Sequence, residues 1–202
     1  MVAAPDLAAI ESEVLDFWFG APGSAERYGE RPVWFHKDPE FDRLIRQRFP
    51  THVERAFAGE LDPMRETARG ALALIVTLDQ FPRNMFRDSP RAFAGDAKAR
   101  VTAGHALAQG FDRGLSAYER WFIYMPFQHS ENPDDQRRAV ELFTTLAAQY
   151  PADAALASAL DFARRHHDVI GRFGRFPHRN AILGRASTEA EIAFLREPGS
   201  RF

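Results

Sequence analysis

Apolar residues recur along this chain at the spacing of an α-helix, and no run of alternating β-branched residues competes with that period. A helix-period pattern does not settle as a strand, so the fold class follows directly: the chain is expected to be all-α. The pattern is also punctuated. Pro or Gly closes most apolar stretches, and Ser, Thr or Asp opens several, which divides the chain into seven to eight helices joined by short turns.

The expected helices run from about Ile10 to Phe19 and from Pro39 to Ala58, with a kink or break at Phe49-Pro50 and a stop at Gly59. The third, Glu66 to Gln80, is the most apolar and is expected to cross the core and to stop at Phe81, because Pro82 disfavours a helical residue before it. A fourth runs from Ala94 or Asp96 to Gln109, with Gly110 as a left-handed cap. The fifth starts at Ser116, where Ser116 and Glu119 have capping-box spacing, and runs into Pro126. The sixth spans Pro133 to Gln149, the seventh Asp153 to about Arg172, and a short last helix starts at Thr188, with Glu191 three residues on. Such elements stack as antiparallel neighbours. The stripe Ala97-Val101-Gly104-Ala108 suggests a helical hairpin whose partner approaches closely. A tetratricopeptide-like stack in one domain, residues 1–202, is the expected architecture.

Composition narrows the function. The chain has 202 residues, a net charge of −2 and no cysteine. That excludes a disulfide framework, cysteine-ligated zinc and a thiol nucleophile. The first twelve residues lack the basic and apolar regions of a secretory signal. The most apolar stretch, Ala71 to Leu78, is far shorter than the roughly 20 residues that span a bilayer. A cytoplasmic protein with no membrane partner is therefore expected. The only lysines are Lys37 and Lys98, so nearly every cation is an arginine. Genome composition can produce this bias; so can a need to grip carboxylates or phosphates with two-pronged guanidinium groups.

Two segments rhyme: Gln80-Phe81-Pro82-Arg83-Asn84 after the third helix and Arg175-Phe176-Pro177-His178-Arg179-Asn180 after the seventh. In a structural reading Phe plugs the core, Pro stops the helix and Asn caps the next turn. In a functional reading both are loops that present Arg83, Asn84, Arg175, His178, Arg179 and Asn180 to one cleft. His129-Ser130-Glu131 follows Pro126, which cannot donate to the carbonyl four residues earlier and so frees an acceptor there. It is either an ordinary helix end or an acid–base or ligand pair. Between Arg164 and Arg185 there are six arginines and one acid, Asp168. With Arg83 and Arg87 they make either a solvated basic face or an anion-binding concavity. No spacing enforces a metal site, and neither a metal nor another cofactor is expected. One arginine cluster falls short of the wide basic surface that nucleic acid needs. The aromatic clusters Asp16-Phe17-Trp18-Phe19 and Val33-Trp34-Phe35 read as core, or as an apolar wall of the cleft.

Taken together, Asp16-Phe17-Trp18-Phe19, Leu78-Asp79-Gln80-Phe81-Pro82-Arg83-Asn84, Pro126-Phe127-Gln128-His129-Ser130-Glu131 and Phe173-Gly174-Arg175-Phe176-Pro177-His178-Arg179-Asn180 resemble the bacterial family catalogued as domain of unknown function 924, in the family's order from about Val14 to Leu195. The resemblance implies an all-α fold of the tetratricopeptide-like superfamily and implies no activity. The functional expectation thus rests on the residues: a small anionic molecule or a peptide carboxylate bound by Arg83, Asn84, Arg87, His129, Glu131, Arg175, His178, Arg179 and Asn180. The alternative is a hydrolase in which His129 or His178 is the general base and Glu131 orients it.

Overall fold

The computed structural model describes residues 6–200, and all its regular structure is helical, with no strand among them. The ends of the expected 1–202 domain lie outside the described residues. Contacts gather into two compact units, one running up to Arg87 together with Ala92–Pro126, the other made of Asp88–Arg91 and the chain from Phe127 onward.

In the first unit, α1 (Leu7–Phe19) begins three residues earlier than its apolar pattern indicates. The cause is Asp6, whose carboxylate accepts from the Ala8 and Ala9 amides at 3.1 Å and satisfies two donors that the first turn leaves open. Helices α2 (Pro39–Arg48) and α3 (Pro50–Ala58) are separated at Phe49, whose ψ of 11° ends one helix as Pro50 starts the next. The Phe49-Pro50 step is therefore a break. Helix α4 (Ala68–Ile75) is capped by Thr67.

The stop expected at Phe81 does not occur. Beyond α4 the chain widens into a π-helical turn, Val76–Gln80, and winds on into a short helix, α5 (Phe81–Met85). The Phe81 amide bonds to the Val76 carbonyl, five residues back. The extra residue in that turn is how the chain passes Pro82, which has no N–H for the Leu78 carbonyl and whose ring would strike it in an α-helix. Phe81 to Asn84 are thus helical, not a loop.

Helix α6 (Asp96–Ala108) packs against α4 through Ala99, Thr102, Ala103 and Ala106. The stripe expected to receive a neighbouring helix faces the other way. Ala97 and Ala108 are exposed, Val101 is 59% exposed, and a β-carbon on Gly104 would meet nothing within 4 Å. The small residues of α6 that fit under α4 are a different set. Val101 instead lines a surface hollow of about 300 Å³ with Asp62, Arg65, Ala97, Lys98 and Thr102. The ammonium of Lys98 is committed there to the Ala56 carbonyl, at 3.0 Å, and to Asp62.

The core of this unit is aromatic. Trp18 lies 5.8 Å from Phe81 and 5.5 Å from Phe122 between ring centroids, and Phe49 lies 4.5 Å from Phe81. Such pairs contribute roughly 0.5–1.5 kcal/mol each beyond their burial. Trp18 and Trp34 are 1% and 8% exposed, which makes both core residues and neither a cleft wall. Helix α7 (Ala117–Gln128) opens with the expected capping box, the Ser116 amide donating to Glu119 at 2.9 Å. It continues two residues past Pro126.

In the second unit, α8 (Pro133–Gln149) and α9 (Ala154–Phe173) form a helical hairpin. Asn132 caps the first and Asp153 the second. Gly174, at φ +69°, ends α9 in the left-handed conformation that glycine adopts without a β-carbon penalty. A 3-10 turn, Pro177–Arg179, follows, and α10 (Glu189–Phe194) starts with the capping box of Thr188 and Glu191. Val169, Ile170, Phe176 and Phe194 make a small apolar cluster. Among the described residues no helix is long and apolar enough to cross a membrane.

Candidate functional site

Three of the expected ligand residues belong to the first unit, and each holds a carboxylate. Arg83 forks onto Asp96 at 2.9 and 3.0 Å and reaches the fully buried Asp79 at 3.1 Å. Asn84 donates to Asp42 at 2.8 Å, and Arg87 grips both oxygens of the same carboxylate at 2.6 and 2.8 Å. Burial alone would raise the pKa of Asp42. The hydrogen bonds from Arg87 and Asn84 and the charges of Arg87 and Arg46 outweigh burial and hold it below the usual range.

The other six lie in the second unit. Three of them form a frame. Arg175 is bidentate to Glu191 at 2.6 and 2.8 Å and also donates to the Ala186 carbonyl. Glu131 accepts from the Phe176 amide at 2.8 Å and from both terminal nitrogens of Arg185 at 2.7 and 2.9 Å. Asn180 donates to Ser187 and accepts from Arg185, each at 3.0 Å. These contacts tie the loop after α9 to the exit of α7 and to the start of α10. Against burial, the bonds from Arg185 and Phe176 hold the Glu131 pKa down; Arg175, the first of several donors, brings Glu191 down to about 2.

The remaining three, His129, His178 and Arg179, gather with a fourth residue, His178 and Arg179 at the ring of Phe176 and His129 beside that fourth residue. That fourth residue is His166. Its imidazole is edge-on to Phe176 at 5.4 Å and 6.4 Å from that of His129. His178 lies 5.5 Å from Phe176, and the Arg179 guanidinium sits 4.5 Å above the Phe176 centroid, a cation–π distance. His129, His166 and Arg179 are all 9% exposed or less.

His166 was not expected as a site residue, although the sequence carries a signal for it. It falls at helical spacing among Ala159, Ala163, Val169 and Ile170, the buried face of α9. A histidine on that stripe lies inside the protein, unlike its neighbour His167, which is turned outward. Arg185 gives no comparable signal, being one more arginine in an arginine-rich segment.

Burial first, then the charges of His129, Arg179 and His178, push the His166 pKa well below its ordinary value, against a hydrogen bond to the Phe162 carbonyl. In that bond, 2.7 Å long, the carbonyl accepts, so Nδ1 carries the proton and Nε2 is the basic nitrogen of the neutral ring. Three imidazoles and a guanidinium in a largely dry setting can meet an oxyanion with charge-assisted hydrogen bonds. Among the described residues there is no group of three or more His, Cys, Asp or Glu arranged to hold a metal ion.

The exit of α7 is also more constrained than Pro126 implies. The side-chain amide of Gln136, fully buried on α8, donates to the carbonyls of Gln128 at 2.7 Å and Ser130 at 2.6 Å. Carbonyls left over at the end of α7 are thereby satisfied, in the segment that carries His129.

Comparison with known proteins places these residues in context. The family model described as "Bacterial protein of unknown function (DUF924)" matches residues 14–199. A solved structure of a protein of unknown function from Agrobacterium tumefaciens is 38% identical, with a TM-score of 0.80, covering 95% of this chain and 99% of that one. Comparison with curated proteins finds no match.

Proposed function

We propose a binding function for this chain, which belongs to the bacterial DUF924 family: the second unit takes up a small oxyanion, free or as a peptide carboxylate, at His129, His166, His178 and Arg179. The observation that carries this reading is the placement of one guanidinium and two imidazoles against the ring of Phe176, with a third imidazole, that of His129, 6.4 Å from His166. These groups can meet an oxyanion with charge-assisted hydrogen bonds. Glu131, Arg175, Arg185 and Asn180 hold the loop in place. The frame supports binding over hydrolysis, because Glu131, the residue needed to orient a histidine base, already accepts from Arg185 and the Phe176 amide. Arg83, Asn84 and Arg87, occupied with Asp42, Asp79 and Asp96, are assigned to the framework of the first unit. A cytoplasmic location and a tetratricopeptide-like ancestry belong to the same proposal; the α8–α9 hairpin supports the latter.

Thermal unfolding in sulfate, against chloride at equal ionic strength, tests it. A bound ligand stabilises by about 2.7 kcal/mol at one hundred times its Kd, or roughly 5–10 °C for a chain of this size. The rise should saturate, and Arg179→Gln should remove the saturable part. A rise that is equal in chloride, or unchanged in the variant, counts against the site.

A further inference from the structure

We infer that the outward face of α6 is an interface with a second copy of this chain, the two α6 helices packing antiparallel about a two-fold axis. All the residues concerned belong to the first unit. Helix α6 is apolar on two sides. One side, Ala99, Ala103 and Ala106, is buried and packs on α4. The opposite side presents Ala97, Val101, Gly104 and Ala108, and Val101, at 59%, is the most exposed large apolar side chain among the described residues. A helix packed on one neighbour needs one apolar stripe; a second stripe on the far side is the mark of a second neighbour.

The symmetry of this side says what that neighbour is. Its four positions are spaced by four, three and four residues, an order that reads the same in either direction. With a copy of α6 laid antiparallel in that register, Val101 of each copy meets Gly104 of the other, and Ala97 meets Ala108. That is the reciprocity a two-fold interface requires. The shapes match as well. Val101 stands out from the surface, and the space where Gly104 lacks a β-carbon is open, with nothing within 4 Å. Alanine at the flanking positions lets the helix axes approach to about 8 Å.

Charge complements shape. The 3-10 turn Asp62–Glu66 runs along one edge of the face. Arg65 lines the hollow beside Ala97 and Val101, and Glu66 stands 3.6 Å from His105, further along the helix. The two-fold axis keeps this edge on the same side in both copies and reverses its direction. Position 105 of one helix then falls level with position 100 of its mate, which sets Glu66 of each copy beside Arg65 of the other. Within one chain Arg65 has only its exposed neighbour Glu66, at 3.0 Å. In the pair, four charges of alternating sign line up across the axis.

A contact of one helix and one turn lies below the roughly 1,200 Å² of stable complexes, so the dimer should form reversibly with concentration. Sedimentation equilibrium of the full chain from about 10 µM to about 1 mM should show that equilibrium. Gly104→Leu is the informative variant. One chain has room for the side chain, and leucine favours a helix more than glycine does. It should therefore melt no lower than the wild type yet stay monomeric, as should Val101→Glu. Arg65→Glu should weaken the dimer about fivefold, and adding Glu66→Arg should restore it. The chain has no cysteine, so Val101→Cys and Gly104→Cys proteins, mixed and oxidised, should cross-link to each other faster than either does to itself. A wild-type chain that stays monomeric throughout that range would overturn the interface. So would a dimer that keeps its affinity in Gly104→Leu, or cysteine variants that cross-link no faster when mixed.

Discussion

A β-carbon added to Gly95 would overlap the carbonyl oxygen of Leu78 and lie 2.9 Å from its carbonyl carbon. Leu78 is the residue whose carbonyl Pro82 cannot serve, and the π-helical turn is what accommodates it. Gly95, just ahead of α6, fills the space beside that carbonyl with nothing larger than its own Cα. Its backbone, at φ −91° and ψ −9°, is open to any residue, so the requirement for glycine here is one of space alone.

Gly95→Ala is accordingly expected to destabilise the protein by about 1–3 kcal/mol, the usual cost of overpacking, or more because the obstacle is backbone. Urea denaturation measures it. A loss below about 0.5 kcal/mol would mean that α6 shifts freely against the π turn.

Phe81 and Phe176 are both 0% exposed. Truncating either to alanine should cost about 3–5 kcal/mol, the range for buried phenylalanine. The consequences should differ in kind. Phe176→Ala should also abolish sulfate protection, because His166, His178 and Arg179 all bear on that ring, whereas Phe81→Ala should leave protection of the folded fraction intact. Equal protection in both variants would detach the cluster from Phe176.

Those two phenylalanines show how far the sequence could be read. Their burial was legible, because an apolar residue next to a proline at the end of a helical pattern has few other places to go. Their local geometry was not. The strings Phe-Pro-Arg-Asn and Phe-Pro-His-Arg-Asn look alike, yet the first is helical and the second is a 3-10 turn. The difference lies in Gly174, which ends α9 two residues before Phe176; no glycine precedes Phe81, and the chain widens its turn instead of stopping. The capping residues Ser116 and Thr188 were readable because a capping box acts over three residues. Pairings such as Asp42 with Arg87, or Glu131 with Arg185, join residues about 45 and 54 positions apart, and nothing local announces them.

The Glu131–Arg185 pair makes a further measurement informative. Glu131→Gln keeps an acceptor for the Phe176 amide but removes the charge that matches Arg185, and should cost about 1–2 kcal/mol. Glu60→Gln, at an exposed pair with Arg55 whose Glu60 side chain is 59% exposed, should stay within about 0.5 kcal/mol. Similar values for the two would make Glu131 an ordinary surface acid.

Stability should fall with acid in two separate steps. Above about pH 6.5 His166 is neutral in both the folded and the unfolded chain. Below that value the unfolded chain takes a proton that the folded one refuses, so stability falls as pH drops toward the depressed folded value. His52, also held down by burial, adds to this step. The second step begins near pH 4.3, where unfolded carboxylates protonate while Asp42 and Glu131 resist and Glu191 holds out to about 2. Urea midpoints from pH 8 to 3 should show both slopes, and His166→Asn should reduce the first to the share of His52 without touching the second. Flat midpoints between pH 7.5 and 5 would show that His166 does not carry the depressed pKa.

Gln136 has a mechanical consequence. One amide, rooted in α8, clasps two successive stretches of the segment leaving α7, at Gln128 and at Ser130. Torque applied to α8 about its own axis would be transmitted through that clasp to His129, which sits between the two points of attachment. A partner or crystal contact that grips the outer side of α8, with its exposed Arg137 and Arg138, would thus have a short lever onto the oxyanion cluster without touching it.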